Sequence, residues 1–209
     1  MRRLAIIVLA VAASVSETTT AGTSAAWIKV KDIRGSGARV LTINLPRGPL
    51  VFVATNRGSS NFTLQLKGAG DNDLLVNEIG AWNGSTVSPD VHAGRHYLAV
   101  GSDGTWTINV LRPSGAQPAR SLPGLFVGSG STVIRVAGRR AGSLVATATS
   151  AGDSNFVVHL VGYGSVSGES LLFNEIGPYH GQTLTDDLPR GTFLLWIEAT
   201  GSWSIRFAT

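Results

Sequence analysis

The chain carries an internal copy of itself, and this constrains its fold more than any other feature. Ser60-Asn61-Phe62 recurs as Ser154-Asn155-Phe156, an offset of 94. Asn77-Glu78-Ile79-Gly80 recurs as Asn174-Glu175-Ile176-Gly177, and Gly104-x-Trp106-x-Ile108 as Gly201-x-Trp203-x-Ile205, both at an offset of 97. Gly35-Ser36-Gly37 recurs as Gly128-Ser129-Gly130, an offset of 93. The order of the matches is kept throughout, and small insertions explain the drift. The chain therefore divides into residues 1–26, a first module over 27–111, a linker over 112–121 and a second module over 122–209. The linker, RPSGAQPARS, has two prolines and no apolar periodicity, and its length allows the modules little independence.

Within each copy the periodicity is two. Phe62, Leu64 and Leu66 alternate with Thr63, Gln65 and Lys67, and Phe156, Val158 and Leu160 keep the same phase. Trp106, Ile108 and Val110 are matched by Trp203, Ile205 and Phe207. Gly, Asn, Asp or Pro interrupts the runs about every ten residues, and no dozen residues keep a helical stripe. The expected fold class is all-β: two tandem antiparallel β-sandwich modules of about seven to eight strands each. Glu78, between Asn77 and Ile79, is expected on the solvent face.

Composition narrows the function. No cysteine occurs, which excludes disulfides, thiolate zinc sites and a lipoprotein anchor. Arg2-Arg3, the apolar run Leu4–Ala13 and a small-residue segment from Ser14 to Ala26 read as a secretory signal, cleaved between residues 13 and 26. The apolar run is too short to span a membrane, so no span is expected after cleavage. Removing Arg2 and Arg3 leaves 15 basic against 13 acidic residues, a net charge of +2. With no run of Lys or Arg, nucleic acid is not an expected partner.

The series Ser154-Asn155-Phe156, Leu171 to Gly177, Tyr179, Gly181, Leu188-Pro189, Gly191 and Gly201 to Ile205 resembles small β-sandwich modules of secreted bacterial proteins. It is similar in style to pre-peptidase C-terminal and CUB-like domains. The resemblance covers both modules. It implies a non-catalytic accessory or surface domain and brings no catalytic residue with it.

Three groups of residues stand out as candidates. Trp82-Asn83 and Tyr179-His180 occupy equivalent positions after the NEIG motif, in what reads as a loop. An exposed ring beside a hydrogen-bonding side chain suits a sugar; the bland alternative is a ring plugging the sandwich end. Asp71 and Asp73 offer hard oxygen ligands, so calcium is the one cofactor considered, in the first module only. His92 and His96 lie four apart, but without the helix that makes such a pair a metal site. Trp27, Ile28 and Val30 alternate in a segment that reads as outside the repeated core, a strand able to add to a neighbour's sheet. The expected function is a secreted, non-enzymatic interaction module whose partner is a protein or a cell-envelope polysaccharide. The alternatives are a carbohydrate-binding module pair and a filament subunit that self-associates by strand addition.

Overall fold

The alternating segments fold as strands throughout. The structure, a computed structural model, describes residues 26–118 and 120–209; the expected signal and cleavage region up to residue 25 lies outside them. The first half contains β1 (Trp27–Ser36), β2 (Arg39–Leu45), β3 (Gly48–Asn56), β4 (Asn61–Gly68), β5 (Asp71–Ile79), β6 (Trp82–Val91), β7 (Gly94–Gly101) and β8 (Thr105–Pro113). The second contains β9 (Arg120–Leu122), β10 (Gly124–Ser129), β11 (Thr132–Gly138), β12 (Val145–Ser150), β13 (Asn155–Tyr163), β14 (Glu169–Ile176), β15 (Tyr179–Leu184), β16 (Gly191–Glu198) and β17 (Ser202–Ala208).

Four sheets form, in the orders β1-β8-β3-β6, β2-β7-β4-β5, β10-β17-β12-β15 and β14-β13-β16-β11-β9. All pairings are antiparallel except that of β9, which the end of the linker adds in parallel to β11. The first two sheets enclose one core containing Phe52, Phe62, Leu64, Leu98, Trp106 and Ile108. The other two enclose a second, containing Phe126, Phe156, Leu160, Leu195, Trp203 and Ile205. The period-two positions are the inward ones: Phe62, Leu64 and Leu66 are fully buried, as are Phe156 and Val158.

Two readings are corrected. Trp27–Ser36 belongs to the repeated unit: it pairs with β8 along its length, and its counterpart β10 pairs with β17. Trp27, Ile28 and Val30 are therefore part of an edge strand of their own module, not a free donor strand. Glu78 does not face solvent fully. A register shift at Leu64/Gln65 buries both Leu75 and Val76 and sets Glu78 opposite Phe62, half-buried, while Ile79 is 82% exposed. Val158/His159 carries the same shift, with Glu175 opposite Phe156.

The two halves are joined by a third apolar cluster. Val51 and Val87 from the first half meet Val161, Tyr163 and Leu194 from the second, with Trp27, Val53, Leu111, Val133 and Trp196 packed around them. The faces in contact are unlike. The first half uses the outside of β1-β8-β3-β6; the second uses the outside of β13, β16 and β11, the counterpart of the first half's other sheet. Ser85 N donates to Ser131 O at 3.1 Å across the junction. Glycine at position 84 permits this approach, because a Cβ there would lie 2.9 Å from Ser131 O.

Candidate functional site

Each ring of the aromatic pair opens a strand instead of sitting in a loop: Trp82 begins β6 and Tyr179 begins β15. Both rings are half-buried against the core ends. Trp82 packs on Phe62 with ring centroids 5.9 Å apart, and Tyr179 on Phe156 at 6.0 Å and Phe173 at 5.6 Å. Asn83 and His180 are exposed, and as the next residues of a strand they point to the opposite face. Ring and polar group thus cannot grip one sugar together. Trp82→Ala and Tyr179→Ala are each expected to lower stability by about 2 kcal/mol, below the roughly 3–5 of a fully buried ring. Urea titration checks this, and unchanged midpoints would restore the sugar-platform reading.

Asp71 is the centre of the best-organised polar cluster. Its Oδ1 lies 2.6 Å from His92 Nδ1 and its Oδ2 2.7 Å from His96 Nε2; His92 N donates to Oδ2 at 3.0 Å. His96 is fully buried, with Nδ1 3.0 Å from Gly94 O. Asp73 instead accepts from Ser88 Oγ. Both carboxylates are thus engaged by protein donors, and no group of His, Asp and Glu among the described residues has a metal-binding arrangement. Neither does a hydroxyl hydrogen-bond the second ring nitrogen of His92 among those residues, as a nucleophile activated by this pair would. The cluster reads as structural: in the second half Phe193 stands where His96 does, filling the same inward site with an apolar ring.

Burial acts to raise the pKa of Asp71, but the hydrogen bonds to His92 and His96 outweigh it and hold the carboxyl below its usual range. A depressed pKa contributes stability that is present at neutral pH and lost as pH falls through the folded value. Asp71→Asn is therefore expected to destabilise the protein by about 1–3 kcal/mol near pH 7. The gap to wild type should begin to narrow below about pH 4 and close as pH falls through the folded value. Denaturation across roughly pH 2–7 measures it, and a gap independent of pH would contradict the assignment.

An open cleft lies between the halves. Its volume is about 860 Å³, and it is lined by Arg47, Arg112, Arg139 and Arg190, two from each half, and by no Asp or Glu. All four arginines are exposed, and none has a carboxylate within 4 Å among the described residues. Arg47 and Arg190 sit on turns, Arg139 directly follows β11, and Arg112 lies near the end of β8. Ser114, Gly115 and Gln117 of the linker, with Gly164, Ser165 and Thr192, complete the walls. No basic cluster shows in the amino-acid sequence because these arginines span residues 47 to 190. A signal was present, however: the tetrapeptide Leu-Pro-Arg-Gly occurs at 45–48 and again at 188–191, out of step with the repeat, and both copies reach this cleft.

The junction also holds acidic groups. Burial raises the Glu198 pKa, and the charges of Glu78 from the first half and Glu169 raise it further. His159 stacks on Trp196 at 4.6 Å, and its Nδ1 lies 2.5 Å from Glu169 Oε1, outside hydrogen-bonding angles. Burial lowers the His159 pKa despite that carboxylate. No family model and no curated protein matches the chain.

Proposed function

We propose that this is an exported, non-catalytic interaction protein that binds its partner at the cleft between its two halves. The observation that carries the reading is the cleft itself: both halves and the linker build it, its charge has one sign, and no carboxylate in it could serve as general acid or base. The Leu4–Ala13 run and its flanks support export. The resemblance to accessory β-sandwich modules of secreted bacterial proteins points the same way. Incubation with a panel of neutral and charged polysaccharides and with a denatured protein substrate tests the non-catalytic part. No release of reducing ends or of peptides is expected, and turnover of any substrate would overturn it.

A further inference from the structure

Resting on that reading of the cleft, we infer that its ligand is an acidic polysaccharide, held through carboxylate or sulfate groups by Arg47, Arg112, Arg139 and Arg190. Guanidinium forks pair with such oxyanions in a bidentate geometry, and these four have no carboxylate partner of their own among the described residues.

The exposure of the arginines decides between a small anion and a chain. One solvent-exposed ion pair improves affinity by only about two- to fivefold. A lone phosphate on such a rim gains little, whereas a chain that engages several guanidiniums at once multiplies the gains. The cleft is large enough for several sugar residues, at about 860 Å³.

The walls decide between a sugar chain and a nucleic acid. Single-stranded nucleic acid is held by aromatic faces on which bases stack. Tyr163 is the one aromatic residue lining this cleft; it is 6% exposed, and its hydroxyl accepts from Arg135 Nε at 3.0 Å. Gln117, Ser165 and Thr192 supply hydrogen-bonding groups of the kind that sugar hydroxyls take up. The Leu-Pro-Arg-Gly tetrapeptides bring one rim arginine from each half, so both halves must be docked for the site to exist.

The test is calorimetric titration of the full chain with alginate, heparin, dextran, inorganic phosphate and an oligothymidylate, at low and high salt. Alginate or heparin is expected to bind, more weakly as salt rises, and either supports the inference; binding of alginate shows that carboxylates alone suffice. The triple variant Arg47→Gln, Arg139→Gln and Arg190→Gln should lose about tenfold or more in affinity, as three such pairs would. It should melt as wild type does, because the side chains are exposed. If it does not, Arg139→Gln and Arg190→Gln singly read the same loss in smaller steps. The inference is overturned if neither acidic chain binds, if dextran, phosphate or the oligonucleotide binds as tightly, or if the variants bind unchanged. None of these outcomes bears on catalysis, so the non-catalytic reading stands or falls by its own assay.

Discussion

Trp106→Ala is expected to destabilise the protein by about 3–5 kcal/mol, the range for truncating a buried large aromatic. The indole is 2% exposed and belongs to the core that the two sheets of the first half enclose. It lies flat over Gly35, where any Cβ would collide with its six-membered ring, and its Nε1 donates to Gly37 O at 2.9 Å. Trp203 repeats the arrangement with Gly128 and Gly130 O at 2.9 Å. The Gly-Ser-Gly and Gly-x-Trp motifs are therefore two halves of one lock, made twice. Gly35→Ala should approach the tryptophan truncation in cost, because the ring must shift and its hydrogen bond with it. Chemical denaturation of the single variants and of Trp106→Ala with Gly35→Ala measures this. Single losses that add fully in the double variant would contradict the lock, since residues in contact share their energy.

The second large effect is expected at Arg135. It is 8% exposed, on the outer face of β11 at the junction, and faces no carboxylate within 4 Å among the described residues. Its Nη1 donates to Ala26 O at 2.6 Å, and its Nη2 to Ser114 O at 3.2 Å and to Ala116 O. The guanidinium also lies 5.8 Å from the ring centroids of Trp27 and Tyr163. One side chain thus ties together the start of β1, the linker and β13. Arg135→Ala removes the donors of these groups and opens a gap beside Val161 and Leu194, at an expected cost of about 3–5 kcal/mol. Lysine keeps the charge but not the fork, and should recover only part of it. Calorimetry reads the consequence: wild type is expected to unfold in one transition, and Arg135→Ala in two. A single undisplaced transition in the variant would refute the role given to this residue.

The sequence was legible where one residue answers to one local rule. Phe62-x-Leu64-x-Leu66 and Trp106-x-Ile108-x-Val110 show their inward phase directly, because a half-buried strand alternates by geometry. Glu78 was misread because the register shift at Leu64/Gln65 changes the phase of β5, and a shift of that kind leaves no mark in the residues themselves. Trp82 and Tyr179 looked like loop residues because Gly84 and Gly181 follow them. Those glycines are instead strand positions over which the rings lie. The His92–Asp71–His96 cluster depends on the turn after β6 approaching the start of β5, so spacing alone could not reveal it. The arginine cleft depends on how the two halves of the chain meet, a question no single-strand pattern addresses; only the doubled Leu-Pro-Arg-Gly pointed towards it.

Because the two halves meet through unlike faces, their arrangement has a direction, like stacked cups, and in principle a third unit could be added at either end. The residues on the outer face of the first half argue against growth at that end. At the positions corresponding to Val161, Leu194, Arg135 and Trp196, the outer face of the first half carries Lys67, Tyr97, Thr42 and Ala99. A lysine and a threonine replace two members of the contact, and the large indole is reduced to a methyl. That is how terminal units of repeat arrays end a stack: a copy of the fold without a copy of its adhesive surface. At the other end the outer face of the second half sets exposed Val145 and Leu184 side by side where the first half pairs Val51 with Val87, so the stack is closed at one end and still apolar at the other.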